Sequence, residues 1–279
     1  MTGMCDLHTH STCSDGSLTP TELVRKAEAI GLDAIALCDH NTVAGLPEFL
    51  RAAEGSRVEA IAGCEFSTDY HDIDLHIIGL MISPERFSDV SALLEETQRL
   101  KEQSNRALVA NLANDGYVID YPALRAQAGD GFINRANIGQ ALLERGYVSS
   151  VKEAFTKLLT SKGKYYTPPP RMSCFDVIDF IKSIGAVAVL AHPFLNFKEE
   201  PLLRAFLEEA KEHGLDAMET VYSSYSDETT ALARKIAAEY SLKESGGSDF
   251  HGTAKPTISM GIGKGNLKVP TQFLNNLKF

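Results

Sequence analysis

Tryptophan is absent from the 279 residues and cysteine is scarce, with five residues at Cys5, Cys13, Cys38, Cys64 and Cys174. An odd count without a CxxC pair does not describe a disulfide framework, and a thiolate metal site is the weaker reading. Reduced thiols packed as small apolar residues are expected. Basic charge is also short: 27 Lys and Arg stand against 37 Asp and Glu, a net charge of −10. That balance argues against an extended nucleic-acid surface. No apolar run approaches the ~18 residues of a membrane span. The N-terminal MTGMCDLHTH lacks a basic segment leading into an apolar one, so neither a membrane partner nor a secretory signal is expected and the location is expected to be cytoplasmic. What is present, 44% hydrophobic and 23% charged residues, matches an ordinary globular chain long enough for one large domain or two small ones.

Apolar runs alternate with amphipathic stretches, the pattern of a βα-repeating α/β protein. Seven strands are expected, at Met4–His8, Asp33–Asp39, Val58–Phe66, Ile73–Ile82, Ala186–His192, Asp216–Tyr222 and Leu242–Asp249. Thr19-Pro20-Thr21-Glu22 reads as a capping box with proline in the first turn, Ser173 opens VIDFIKSIG in a similar way, and Gly31, Gly185 and Gly214 fall where helices should end. From about Ser88 to Gly163 the alternation stops and apolar residues recur at helical spacing, as in Val90, Leu93, Leu94, Leu100, Leu108 and Leu112. The expected organisation is a barrel made of residues 1–87 and 164–279, interrupted by a helical insertion, 88–163, that caps the substrate. The stiff connector KYYTPPPRMS leads back to the barrel.

Of the eight histidines, six sit in or just after expected strands: His8 and His10 in DLHTH, His40 in ALCDH, His76 in DIDLHIIG, His192 in VLAHP and His251 in GGSDFH. Asp15, Glu65 and Asp249 join them at matching places. In a βα barrel the carboxyl ends of the strands gather the chemistry, so residues remote in sequence converge there. One strand-end histidine is ordinarily a core or surface residue; nine N and O ligands in register are a metal centre. Imidazole and carboxylate without thiolate suit Mn²⁺, Zn²⁺ or Fe²⁺, and nine ligands at about three per ion give two or three divalent metal ions.

DLHTHSTCSDGSLTP, CDH, AHP and GGSDFHG, with GCEFS and LHIIG between them, resemble the motifs of the PHP (polymerase and histidinol phosphatase) family; INRANIGQALLERGY and EAFTKLL resemble its stand-alone nucleotide-acting members. The resemblance implies a distorted seven-stranded (β/α) barrel with a three-metal site. It implies that His8, His10, Glu65 and Asp249 hold one metal, that Glu65 bridges to a second held by His76 and His192, and that Asp15, His40 and His251 hold the third. Asp39 is expected to orient His40 or a neighbouring helix. His71, in what reads as the turn STDYHD, is the rival of His76, and His213 belongs to a helix end before Gly214. The chain departs from the family pattern in reading Arg135-Ala136-Asn137 where such members carry Arg-x-His, and VYSSYSDE where a histidine is expected near Tyr225. Arg135, Asn137 and Tyr225 are the candidate substrate contacts, with Arg135 a clamp for a phosphate.

The chemistry this implies is hydrolysis of a small phosphorylated substrate, a nucleotide such as a nucleoside monophosphate or 3′,5′-bisphosphate. The attack on phosphorus is expected from metal-bound hydroxide held by Glu65, Asp249, His192 and His251. Neither a GxSxG elbow nor a phosphate-accepting DxD at a strand end offers a protein nucleophile. The alternatives are a histidinol-phosphate-type phosphatase, a metallohydrolase of amidohydrolase-like type, which also begins with HxH, and a non-catalytic metal-binding module.

Overall fold

Strand β1 (Cys5–Thr9) pairs in parallel with β2 (Ala34–Leu37), and β2 with β3 (Glu59–Tyr70), in the computed structural model, which describes residues 3–128, 133–161 and 163–278. Between β1 and β2 runs α1 (Pro20–Ile30). Thr19 and Glu22 cap it reciprocally, and Gly31 ends it in the left-handed region at φ 81°. Helix α2 (Leu46–Ala53) joins β2 to β3.

The alternation then departs from a pure βα repeat. Strand β4 (Ile73–Leu80) returns antiparallel along β3 through a two-residue turn at His71 and Asp72, both with positive φ. Only these two residues of STDYHD turn; Ser67–Tyr70 continue the strand. Reversal of β4 places its first half beside the end at which its neighbours finish, with His76 opposite Ser67. A short strand, β5 (Met172–Ser173), pairs with β3 and was not anticipated. The series continues through β6 (Val187–Leu190), antiparallel to β4, then β7 (Ala217–Tyr222) and β8 (Lys243–Gly247), each parallel to its predecessor. Past the end of β8, His10 N–H donates to Phe250 O and Asp249 N–H to His8 O, both at 2.9 Å, bringing β8 back to β1. Setting β5 aside, the result is a nearly closed barrel of seven strands, the expected number in a slightly different arrangement.

Packed on the sheet are α7 (Cys174–Ser183), α9 (Glu200–Glu212) and α10 (Asp227–Glu239). A short α8 (Pro193–Asn196) follows β6, and α11 (Thr271–Leu277) closes the sequence. Helix α11 had no clear signal, yet it buries Phe273, Leu274 and Leu277 with Leu7, Ala36 and Val189. Buried Asp6 ties β1 to the far end of the chain, accepting from Ser248 N–H at 2.8 Å, Ser248 Oγ at 2.5 Å and Gly261 N–H at 2.8 Å.

The chain divides into two units, Met1–Val90 with Met172–Phe279, and Ser91–Arg171. Helices α3 (Phe87–Asn114), α4 (Tyr121–Ala128), α5 (Arg135–Glu144) and α6 (Val151–Lys157) build the second around its own core of Leu108, Leu112, Ile138, Leu142 and Leu159. Its limit lies at Arg171 rather than near 163 because side chains of α3 hold the connector: Asn111 donates to Tyr165 O at 3.0 Å and Ser104 to Thr167 O at 2.5 Å. Among the described residues no helix is long and apolar enough to cross a membrane.

Candidate metal centre

Strand ends bring the histidines and carboxylates together. His8 lies in β1 and His10 just after it; His40 follows β2 and bridges in parallel to Glu65 of β3. His76 comes from β4, His192 from the turn after β6, and Asp249 and His251 from the segment after β8. Among the described residues, three groups have ligand atoms within 4.8 Å of one another: His10, Asp15, His40 and His251; His8, His10 and Asp249; His40, Glu65 and His76. Glu65 stands between ligand sets. Its Oε1 lies 2.8 Å from His76 Nδ1 and 3.1 Å from His192 Nε2, and its Oε2 lies 3.2 Å from His8 Nε2, 3.3 Å from His10 Nε2 and 3.2 Å from His40 Nδ1.

These contacts are close, yet several are not hydrogen bonds. His8 Nε2, both ring nitrogens of His10, Glu65 Oε2 and His251 Nε2 are buried without a hydrogen-bond partner. A buried polar atom left unpaired costs about 1–3 kcal/mol, so five in one cluster call for a shared partner. A divalent cation fits: two ligands each ~2.1 Å from an ion and roughly 100° apart stand about 3.2 Å from each other, the separation seen between His8 Nε2 and Glu65 Oε2. His71 lies in the β3–β4 turn and joins none of the three groups; His213 pairs with Asp179 at 2.9 Å.

The protein's own charges show the same demand. Burial opposes a proton on His8, but the Glu65 and Glu219 carboxylates prevail and hold its pKa well above the usual imidazole value. His10 behaves alike: against burial, Asp249 and Glu65 push it up to about 9. His40 is driven down to about 3 by burial. Burial would raise Glu65, but His40, His76 and His8 hold it well below the carboxylate range; Asp249 is likewise held down by His10, His8 and Lys255. Protons on His8 and His10 thus occupy the electrostatic role of a cation.

Two of the nine residues have left-handed backbones, His192 at φ 29° and Asp249 at φ 56°. Such conformations cost on the order of 1–3 kcal/mol each and persist where the surroundings fix them. The fixing groups escaped the sequence reading. Glu219 of β7 accepts from His192 N–H at 2.6 Å and lies 3.0 Å from His8 Nδ1. With the Nδ1 proton bonded to Glu219, the proton that His8 would give up to a metal is the one on Nε2, the atom aimed at the cluster. Tyr222, also of β7, donates to Asp249 Oδ2 at 2.6 Å. Regular pleating would send residues three apart to opposite faces; the register of β7 against β8 shifts between Glu219 and Val221, and both side chains reach the site. The one available signal was a lone carboxylate in an otherwise apolar strand. Lys255, with Nζ 2.6 Å from Asp249 Oδ2, had none.

Asp39 serves a different element from the one expected. It accepts from Ser11 N–H, Ser11 Oγ and Ser14 Oγ at 2.8, 2.5 and 2.6 Å, so it shapes the loop carrying Asp15 rather than orienting His40. Among the candidate substrate contacts, the Asn137 side chain accepts from Asn134 N–H at 2.8 Å and caps α5. Arg135 donates to Leu159 O at 3.0 Å and lies over the Tyr166 ring. Tyr225 is 4% exposed, and its hydroxyl accepts from Phe194 N–H at 3.1 Å, supporting the segment after His192.

Known proteins resemble this chain in sequence and in fold. The PHP domain model matches residues 6–166. A 5′-3′ exoribonuclease of Haemophilus influenzae is 34% identical over 251 residues, covering 90% of this chain and 91% of its own. A 3′,5′-nucleoside bisphosphate phosphatase of Chromobacterium violaceum is 30% identical over 247 residues, covering 88% and 86%. In structure, a protein provisionally named a metal-dependent phosphoesterase from Bifidobacterium adolescentis superposes with a TM-score of 0.86 at 28% identity, over 99% of this chain and 95% of that one. Likeness along the whole length, in sequence and in fold alike, makes this chain a member of the PHP domain family and a metal-dependent phosphoesterase.

Proposed function

We propose that the chain removes phosphate from a nucleotide, a 3′,5′-bisphosphate or a nucleoside monophosphate, at a centre held by His8, His10, Asp15, His40, Glu65, His76, His192, Asp249 and His251. The observation that carries this reading is the set of buried, unpaired donor atoms gathered around Glu65. Two or three divalent ions bound there supply Lewis acidity toward phosphoryl oxygens and bring the pKa of water near neutrality. Glu65 offers one oxygen to His76 and His192 and the other to His8, His10 and His40, so it holds two ligand sets at a fixed spacing. Glu219 and Tyr222 orient His8, His192 and Asp249 before substrate arrives. Asp15, His40 and His76, 20–27% exposed, form the accessible side through which a phosphate enters.

The Chromobacterium violaceum relative supports a bisphosphate substrate, and the net charge of −10 favours a small ester over a long strand bound along a broad surface. A second reading, stepwise removal of nucleotides from a 5′ RNA end, is favoured by the Haemophilus influenzae relative. A substrate panel separates them: 3′,5′-nucleoside bisphosphates, nucleoside monophosphates, histidinol phosphate and 5′-phosphorylated oligoribonucleotides, each with Mn²⁺ and after chelation. Inorganic phosphate released fastest from a nucleotide is expected. Mononucleotides released from the oligomer, with no phosphate released from any monoester, would contradict the proposal and establish the second reading.

A further inference from the structure

The centre has a cation of its own. Among the described residues, Lys255 is the lysine or arginine that pairs with one of the candidate carboxylate ligands, its Nζ 2.6 Å from Asp249 Oδ2. It follows the short turn Gly252–Ala254, which is pinned to the Asp15 loop: Thr253 N–H donates to Ser17 Oγ at 2.9 Å and Ser17 N–H to His251 O at 3.1 Å. Lys255 is therefore held at the rim by both loops that carry candidate ligands.

Neutralising Asp249 does not account for it. Tyr222 already donates to Oδ2 at 2.6 Å, and Oδ1 lies within 3.8 Å of His8, His10 and His251. The ammonium makes one hydrogen bond, leaving two N–H donors without a protein acceptor, and its side chain is 40% exposed where Asp249 is 5% exposed. A half-exposed ammonium with free donors beside a phosphoesterase centre is suited to an anionic oxygen. The side-chain oxygens of Asn137 and Tyr225, by contrast, accept from backbone N–H groups of the protein.

We propose that Lys255 binds a non-bridging oxygen of the substrate phosphate and remains bonded to the phosphate product. The proposal rests on the phosphoesterase reading above. The test uses metal-loaded full-length protein as wild type, Lys255→Met, Lys255→Arg and Tyr222→Phe, with inorganic phosphate titrated by calorimetry, metal content measured in parallel, and kcat and KM determined on the best substrate. Lys255→Met should weaken phosphate binding about ten- to a hundredfold, the worth of one charge-assisted hydrogen bond, with metal content unchanged. Lys255→Arg should recover to within about fivefold of wild type. Tyr222→Phe removes the other donor to the same carboxylate oxygen without removing charge, so it reads what is lost through Asp249 alone. Unchanged phosphate binding in Lys255→Met overturns the proposal. So does a loss matched by Tyr222→Phe or accompanied by loss of metal, because Lys255 then acts through Asp249. A wild type that binds metal but neither binds phosphate nor cleaves any monoester overturns the phosphoesterase reading and this proposal with it.

Discussion

Replacing Glu219 with Gln exchanges one carboxylate oxygen for an amide nitrogen at a fully buried position. Glu219 serves two donors at once, His8 Nδ1 at 3.0 Å and His192 N–H at 2.6 Å. Glutamine has a single acceptor oxygen, so one of those donors must face an NH₂ group. If His8 loses its acceptor, its ring is free to take the tautomer that puts a proton on Nε2, the atom aimed at the cluster. If His192 loses its acceptor, a backbone at φ 29° loses the bond that steadies it. A buried hydrogen bond to a charged group contributes about 1.5–3 kcal/mol. With a tenfold change per ~1.4 kcal/mol, Mn²⁺ binding should weaken by about 10- to 150-fold. Removal of a carboxylate behind a metal-ligating histidine ordinarily has an effect of about 10- to 100-fold, which agrees. The assay is titration of metal-stripped Glu219→Gln against a competing chelator, with circular dichroism confirming the fold. An Mn²⁺ affinity within about threefold of wild type in a folded variant would refute the reasoning.

Other consequences follow from the same geometry. Glu65→Ala removes the carboxylate common to both ligand sets; turnover should fall at least about a thousandfold, and metal content should drop by elemental analysis, whereas normal metal and activity would contradict the assignment. Because His8 and His10 are held protonated above neutrality without metal, loading Mn²⁺ near pH 7.5 should release about two protons. Calorimetry in buffers of different ionisation enthalpy reads that number, and no release would count against the ligand roles. The pH dependence of metal-free stability has a defined sign. His10 is raised from 6.5 to about 9 in the folded state, so its contribution is complete below pH ~6.5 and disappears as pH rises through ~9, on the order of 3 kcal/mol in all. Metal-stripped protein should show a Tm that falls between pH 7 and 9.5; a flat profile would contradict the proton's role.

The strands and their terminal histidines were legible because apolar runs ending in His or Asp are local patterns, and barrel topology supplies the convergence. His76 was legible as a strand residue, but its reason for being near the start of β4 was not: parallel and antiparallel strands have the same two-residue period, and only pairing distinguishes them. Glu219 and Tyr222 were hidden by a register shift that no periodicity announces. Lys255 reaches Asp249 through a turn whose placement depends on Ser17, more than two hundred residues away in sequence. Asn137 and Tyr225 were chosen by chemical type, and their side-chain oxygens accept from the backbone, capping α5 and bracing Phe194. The insertion's limit was misplaced because the proline-rich connector has no periodicity of its own and is held by side chains of α3.

The central claim is tested most directly by phosphate release from a 3′,5′-nucleoside bisphosphate as metal-stripped protein is titrated with Mn²⁺. Release should be absent from the stripped protein and rise with added metal to a plateau at two or three equivalents per chain. The same titration of Glu65→Ala should stay flat. Undiminished release from protein shown to be metal-free, or no release from any nucleotide at full metal occupancy, would contradict the account.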